Sequence, residues 1–258
     1  KEELDVTEDY FDKFREQNPQ EIQLIGLKHI NLKQASDVIR ARLAQIQKED
    51  NQTSVSEEAR KDLKEAAFAH LHNHSQFSVL QSTIGINDLV KEAAKYKMPA
   101  VAMTDTGNMM GAFQFVSSVF NHNKAAAAKN KEAIENGEEP TETEVIPIVG
   151  CEFNICENHK DKSKKDNGYQ VVLLAKNKKG YHNLAKMSSI AYTDGFYYVP
   201  RIDKTVVEQY KEDIIVLSGN LYGEIPSKIL NIGENQAEEA LIWWKEQFGA
   251  DFYLEVMR

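Results

Sequence analysis

The sequence contains little cysteine, no long apolar run and fewer basic than acidic side chains. Only Cys151 and Cys156 occur among 258 residues, which excludes a disulfide framework and favours a reducing compartment. No run approaches the roughly 18 apolar residues that a membrane-spanning helix requires. The 40 acidic and 31 basic residues give a formal charge of −9, which excludes a domain whose whole surface is built to bind nucleic acid. The composition therefore predicts a soluble cytoplasmic protein without a membrane partner.

Glycine-rich motifs that bind phosphate groups are also missing. Gly107 and Gly111 fit neither a P-loop nor a Gly-x-Gly-x-x-Gly pattern. The first residues, Lys1 to Asp5, resemble neither a signal peptide nor a natural start. We therefore expect the chain to be part of a longer protein.

Two regions differ in the periodicity of their apolar residues. Residues 1–66 show helical spacing and a capping-box pattern, Ser54-x-x-Glu57, without a convincing strand, and we predict a helical linker there. From residue 67 to 258 strand and helix patterns alternate, which is typical of βα units and a mainly parallel sheet. Periodicity alone leaves an open doubly wound sheet and a closed barrel as alternatives.

The second region contains six predicted strands and four predicted helices. The strands cover residues 68–74, 100–105, 145–155, 169–175, 214–218 and 252–257. The helices cover residues 86–97, 109–136, 180–191 and 235–248. Because no helix follows the last strand, we expect the sheet or barrel to be incomplete at this end.

Three of the seven histidines fall within five residues, at His70, His72 and His74. Side chains two residues apart in a strand share one face, with Cα atoms about 6.6 Å apart, so the three imidazoles are predicted to converge. A neutral imidazole is the commonest ligand for transition metals. The spacing therefore favours a metal site, present or ancestral, over a hydrogen-bonded polar strand end.

Two acidic residues in apolar strands are candidates to join the histidines. Asp105 ends one predicted strand, and Glu152 lies inside another. Burying an unpaired carboxylate costs several kcal/mol, so each needs a partner. Asp105 fits a metal ligand and a cap of the following loop equally well, whereas an outward-facing side chain is the alternative for Glu152.

Several segments in the expected order resemble the polymerase-and-histidinol-phosphatase (PHP) domain family, in the form found in bacterial replicative DNA polymerase III alpha subunits. They are Phe68-Ala-His-Leu-His-Asn-His-Ser-Gln-Phe-Ser78, Pro99-Ala-Val-Ala-Met-Thr-Asp105, Pro147-Ile-Val-Gly-Cys-Glu152 and Lys179-Gly-Tyr-His-Asn-Leu184. The resemblance covers residues 68–258 and implies an α/β fold, a distorted (β/α)7 PHP barrel at the amino end of a much longer polymerase. The barrel would lack its last strand or strands here. Some members carry an exonuclease domain before the PHP domain, so residues 1–66 would suit a connector.

Intact members resemble a phosphoesterase with three metal ions, and this sequence departs from that pattern at four ligand positions. The departures are Gln81, followed by Ser82, for an aspartate, Thr106 for a histidine, Gln170 for a histidine and Asn220 for a cysteine. The last ligand-bearing motif would lie beyond Arg258. Neutral amides and hydroxyls bind divalent metals far more weakly than ionisable ligands, so we predict that the three-metal site is lost. The remaining residues, His70, His72, His74, Asp105 and Glu152, can form a metal-free polar cluster or hold one divalent ion, zinc or manganese.

This resemblance implies a PHP-domain fragment of a replicative polymerase subunit, with no catalytic residue of its own and a structural or docking role. Its expected partners are other domains of the alpha subunit and a proofreading exonuclease, while DNA would be contacted through the parent polymerase. One alternative is a metal-dependent phosphoesterase or 3′–5′ exonuclease that uses the remaining histidine and acidic residues. Another is a structural module with one bound ion and no turnover.

Overall fold

The computed structural model describes residues 68–256, and these form a mixed α/β unit. The strands are β1 (Ala100–Met103), β2 (Ile146–Cys156), β3 (Tyr169–Ala175), β4 (Arg201–Asp203), β5 (Ile214–Leu217) and β6 (Phe252–Tyr253). The helices are α1 (Ile86–Lys95), α2 (Ala112–Glu135), α3 (Lys178–Thr193), α4 (Lys204–Tyr210), α5 (Glu224–Asn231) and α6 (Glu234–Phe248), with a short 3₁₀ turn at Gly249–Asp251. The predicted helical linker at residues 1–66 lies outside the described residues. Every helix within them is too short or too polar to cross a membrane.

The six strands form one sheet in the order β1-β2-β3-β5-β6, with β4 beside β2. The β1–β2, β2–β4 and β5–β6 pairs are parallel, whereas β2–β3 and β3–β5 are antiparallel. The sheet is therefore mixed rather than mainly parallel. Residues 157–168 join β2 to β3 without a crossover helix, and a parallel pair needs such a crossover. The predicted α/β class is confirmed, and the sheet is not closed among the described residues.

The histidine segment, residues 68–74, lies beside β1 without forming a regular strand. The amide of Ala102 donates to the carbonyl of His70 at 3.0 Å, and the amide of Thr104 donates to the carbonyl of Asn73 at 2.8 Å. The Thr104 hydroxyl also accepts the amide of Asn73 at 2.9 Å. These bonds place the segment at the outer edge of β1, and the prediction of a regular strand there is wrong.

Apolar spacing explains how the helices cover the sheet. In α1 the buried residues are Ile86, Leu89, Val90 and Ala93, which fall on one helical face. They pack with α2 and β1 in one core cluster. A second and larger cluster lies between the β2–β5 region and helices α3, α4 and α6, and it includes the buried Trp244. These two cores hold β1 and β2 in fixed positions, and the candidate site lies on these strands.

Candidate functional site

Three side chains from the predicted set converge at the histidine segment and β2. His72 Nε2 lies 3.0 Å from Glu152 Oε2, and His74 Nε2 lies 3.4 Å from the same oxygen. Their ligand atoms all lie within 4.8 Å of one another. Among residues 68–256 this is the only group of three histidine, cysteine or acidic side chains that converges in this way.

His72 contacts a carboxylate through each ring nitrogen. Its Nδ1 lies 2.7 Å from Glu255 Oε1, and its side chain is only 6% exposed. Burial lowers the pKa of His72, but the hydrogen bonds and charges of Glu152 and Glu255 outweigh it and raise the pKa to about 9. His72 is therefore an imidazolium at neutral pH, donating one hydrogen bond to each carboxylate.

Glu152 is charged although its side chain is only 1% exposed. Burial raises the pKa of this carboxyl, yet the His72 and His74 rings together lower the pKa to about 2. Its other oxygen, Oε1, lies 3.0 Å from the Thr106 hydroxyl. The carboxylate thus has a polar neighbour on each oxygen, with the single Thr106 proton divided between Glu152 Oε1 and Gln81 Oε1, which lies 2.6 Å away.

Glu255 was not among the predicted site residues. It follows β6, and its amide donates to the Ser218 hydroxyl at 2.9 Å. An acid inside the apolar run Phe252-Tyr-Leu-Glu-Val256 is the same signal that singled out Glu152. Its partner, however, lies 183 residues earlier in the chain, so the contact itself was invisible to sequence spacing.

Asp105 does not join the histidines. Its carboxylate accepts three hydrogen bonds from the turn that follows them: the Ser75 amide at 2.6 Å, the Ser75 hydroxyl at 2.7 Å and the Ser78 hydroxyl at 2.6 Å. This is neither of the two roles predicted for Asp105, because the carboxylate caps the turn after the histidines rather than the loop that follows Asp105 itself. The carboxylate orders the turn at 75–78, which fixes where the histidine segment ends.

His70 also stands apart from this group. Its side chain is exposed, and its ring packs edge-on against the Phe68 ring with centroids 4.8 Å apart. Because the segment is not a regular strand, the two-residue period does not carry His70 to the face shared by His72 and His74.

The residues at the four substituted ligand positions contact each other in two pairs. The Thr106 hydroxyl lies 2.6 Å from Gln81 Oε1, and Asn220 Nδ2 donates to Gln170 Oε1 at 3.3 Å. The neighbouring Ser82 donates its hydroxyl to the carbonyl of His74 at 2.7 Å. The substituted side chains therefore form two neutral pairs, and one of them contacts, through Thr106, the charged group formed by His72, Glu152 and Glu255.

The chemistry of these donors fits one divalent ion and does not fit three. Two imidazoles and one carboxylate, with an open fourth position, are a ligand set that zinc accepts. The Nε2 atom of His74 is buried, and its 3.4 Å contact with Glu152 Oε2 is long for a hydrogen bond, so an ion could bind there with little loss. Further divalent ions need carboxylates, and the neutral pairs supply none. The residues that would hold a single ion are His72, His74 and Glu152.

Comparison with known proteins identifies the family. Residues 70–258 match the PHP domain family model. The DNA polymerase III alpha subunit of Borreliella burgdorferi is 39% identical over 195 residues, which cover 74% of this chain and 15% of that protein. The corresponding subunit of Chlamydia trachomatis is 37% identical over 190 residues, with 72% and 14% covered. That of Aquifex aeolicus is 37% identical over 199 residues, with 73% and 15% covered.

A solved structure from Bifidobacterium adolescentis, whose name places it among metal-dependent phosphoesterases, matches 73% of this chain and 86% of its own. The identity is 10% and the TM-score 0.38, so this likeness carries no argument about the site. The chain spans only 14 to 15% of the length of the three polymerase relatives. The matched domain and the identities nevertheless agree, and the chain belongs to the PHP domain family, in the form found in the alpha subunits of bacterial DNA polymerase III.

Proposed function

We propose that this chain is the PHP module of a DNA polymerase III alpha subunit that acts in chromosomal replication. Within that subunit it serves as a structural and docking module without phosphoesterase activity of its own. The observation that carries this proposal is the mutual pairing of the substituted ligand positions, Gln81 with Thr106 and Gln170 with Asn220. A site that binds several ions would need ionisable ligands at these positions.

The remaining charged residues have a structural use that needs no ion. His72 lies in the segment beside β1, and Glu255 follows β6, so their contact joins the two outer edges of the sheet. Glu152, in the middle of β2, binds the same imidazole. One cation therefore holds together three segments that are distant in the sequence.

An apolar cleft of about 1170 Å³ lies between those two edges. Its walls include Leu71, Leu174, Leu217 and Leu254. Val256 also lines it and is 92% exposed. We propose that further chain of the full-length protein, beyond Arg258, covers this cleft and completes the barrel that the family resemblance implies.

The activity and partners of the whole protein are part of the same proposal. By its relatives, the parent protein is a DNA-directed DNA polymerase whose reaction takes place in domains outside this chain. The other domains of that subunit are the first partners, and a proofreading exonuclease is a further one. The charge of −9 supports contact of this module with protein rather than directly with DNA. The composition supports a cytoplasmic location.

The full-length alpha subunit, purified without chelator and without other subunits, provides the test. The substrates are bis(p-nitrophenyl) phosphate and 3′-labelled single-stranded DNA, with zinc or manganese added. We expect no hydrolysis of either substrate that depends on His72. The variant His72→Ala is compared with His122→Gln, because His122 lies on α2 and bonds to the carbonyl of Thr143, outside the site. Hydrolysis that His72→Ala abolishes, together with two or more tightly bound ions per chain, would contradict the proposal.

A phosphoesterase that works with one ion is the second candidate. It is favoured by the Nε2 atom of His74, which makes only a long contact with Glu152 and lies within reach of an ion held by His72 and Glu152. A bound divalent ion would supply a water of lowered pKa, and the three residues would hold it. This candidate predicts hydrolysis that appears with one added zinc or manganese ion per chain and disappears in Glu152→Gln. If neither metal produces hydrolysis, the candidate is rejected.

A further inference from the structure

Two asparagine–glycine pairs, Asn136–Gly137 and Asn167–Gly168, lie in connecting segments of the described chain, and both asparagines are exposed. In such a pair the backbone nitrogen of the glycine can attack the side-chain carbonyl carbon of the asparagine, because glycine has no side chain that obstructs the approach. The nitrogen becomes a nucleophile only when its N–H loses the proton, which a neighbouring base promotes. The surroundings of this N–H therefore decide which of the two pairs reacts.

The N–H of Gly168 is hydrogen-bonded to a carboxylate. It donates to Asp166 Oδ1 at 2.9 Å. A general base must lie within about 2.6–3.2 Å of the atom that loses the proton, and this oxygen meets that condition. The other oxygen of Asp166 accepts the amide of Glu157 at 3.0 Å, and its carbonyl accepts the Arg201 guanidinium at 2.8 Å, so these bonds fix the carboxylate in place. Asp166 is therefore positioned to remove the proton from the attacking nitrogen.

The N–H of Gly137 has no carboxylate in the same position. Asn136 directly follows α2, and the Gly137 N–H donates to the carbonyl of Ile134 at 3.1 Å. A backbone carbonyl accepts a hydrogen bond but does not take up the proton at neutral pH. The same dipeptide thus occurs once beside a base and once without one, which provides a comparison within one molecule.

The side chain of Asn167 is free to approach its neighbour. It is exposed and makes no hydrogen bond to another residue in the range 68–256. Gly168 has a φ of 73°, and a Cβ added there would lie 2.6 Å from the carbonyl carbon of Ile155 in β2. The packing against β2 therefore requires glycine at position 168, and this glycine leaves the attacking nitrogen unobstructed.

We propose that Asn167 is a self-modification site, which deamidates in the folded chain with Asp166 as the general base. Asp166 takes the proton from the Gly168 nitrogen, and this nitrogen forms a bond to Cγ of Asn167. The bond from Cγ to the side-chain NH2 breaks, and the NH2 group leaves with the proton as ammonia. Water then opens the resulting succinimide at one of its two carbonyls, which gives aspartate or isoaspartate. The reaction needs no oxidant or cofactor, and the inference does not depend on the docking role proposed above.

Either product changes a cavity of about 490 Å³ that Asn167 lines together with Gln81 and Gln170. None of the residues that line this cavity carries a charge, so deamidation places the first carboxylate in it. Isoaspartate also adds a methylene group to the backbone between Asp166, which binds Arg201, and Gly168, which packs against β2. Because both neighbours are held, the longer backbone must disturb one of these two contacts.

The test incubates the full-length alpha subunit in neutral buffer and follows both asparagines in tryptic peptides. Deamidation replaces an NH2 group by OH, and fragment-ion masses assign this change to Asn167 or Asn136. In the folded wild type we expect Asn167 to react about tenfold or more faster than Asn136, which is less than the roughly 100-fold that a general base contributes in an optimised site. In the denatured chain the two rates should be similar. Equal rates in the folded protein, or a faster Asn136, would overturn the proposal.

The variant Asp166→Asn keeps a hydrogen-bond acceptor beside Gly168 and removes the base. It should slow the reaction of Asn167 about tenfold or more and leave that of Asn136 unchanged. Asp161→Asn is the matched control, since Asp161 lies in the same segment and its Oδ1 accepts the amide of Ser163 at 2.8 Å. If Asn167 reacts equally fast in the two variants, Asp166 is not the base and the proposal fails. Melting temperatures identify a misfolded variant, and the wild-type comparison of the two asparagines then decides.

Discussion

The ion-paired His72 gives a quantitative prediction about stability and pH. Its pKa rises from 6.5 to about 9 in the folded chain. In the unfolded chain the ordinary value of about 6.5 applies. Since one pKa unit corresponds to about 1.4 kcal/mol, this histidine stabilises the folded form by about 3 kcal/mol when it is fully protonated. Because the folded state binds the proton more tightly, the contribution is complete below the unfolded pKa and is lost as the pH rises through the folded one.

Glu152 fixes the acidic limit of the same contribution. Its pKa falls from 4.5 to about 2 on folding, so its stabilisation is present above pH 4.5 and is lost as the pH falls through the folded value. The two pKa shifts describe one contact from its two sides and are not added. We therefore expect the charged group to stabilise the chain most between pH 4.5 and 6.5.

Urea unfolding measured between about pH 6 and pH 9.5 tests this reasoning. The wild-type chain should lose about 2–3 kcal/mol more of its free energy of unfolding over this interval than His72→Gln, which cannot be protonated there. His122→Gln, altered outside the site, should follow the wild type. If the wild type and His72→Gln lose the same free energy over this interval, His72 is not held as an imidazolium and the argument fails.

Three further predictions concern other contacts. Thr106→Val removes a partner of the buried Glu152 and should cost about 1–3 kcal/mol in urea unfolding. In the Thr106→Val background, Gln81→Leu should lower the free energy of unfolding by less than it does in the wild type, because the two side chains contact each other. Arg201, which is fully buried, donates to four backbone carbonyls, so Arg201→Met should cost about 3 kcal/mol or more and make residues 157–168 sensitive to limited proteolysis. Calorimetric titration with zinc should give at most one ion per chain and none in Glu152→Gln.

Long periodic elements could be predicted from the sequence, and short polar ones could not. The helix predicted at residues 109–136 is α2, and the strand predicted at 145–155 is β2. The strand β4 was missed because Arg201 and Asp203 are charged although both are buried, so the apolar signal of a strand is absent. Asp203 also caps α4 by accepting the amide of Val206 at 3.1 Å.

The helix α5 was missed for a similar reason. Its buried residue is Glu224, whose carboxylate accepts hydrogen bonds from Lys204, Lys228 and the Trp244 indole. Burial raises the pKa of Glu224, but the two lysines lower it below its ordinary value. Because the buried residue of this helix is an acid, the position that points into the core carries no apolar signal in the sequence. Only the folded chain shows why it is inside.

The site residues likewise could be predicted only in part. The alternation of the histidines and the acids in apolar strands selected the three residues that converge, but they selected His70 and Asp105 as well, which lie outside the group. The role of Asp105 depended on Ser75 and Ser78, which carry no strand or metal signal in the sequence. Local patterns thus indicate which residues need a partner, whereas the identity of the partner is a property of the tertiary structure.

The proton on His72 competes with a divalent ion for the charged group formed by His72, Glu152 and Glu255. An ion bound at Nε2 must displace a proton held with a pKa of about 9, which at pH 7 lowers the apparent affinity about 100-fold relative to a free imidazole nitrogen. Glu255, bound to the other ring nitrogen, raises the pKa of His72 and so favours the protonated ring. The same hydrogen bond would orient the ring toward a metal bound at Nε2. In a site with the full set of ligands, the additional carboxylates would offset this loss of metal affinity. Here Gln81 and Thr106 pair with each other instead, so we expect the proton to remain the better cation and His72 to join the edges of the sheet.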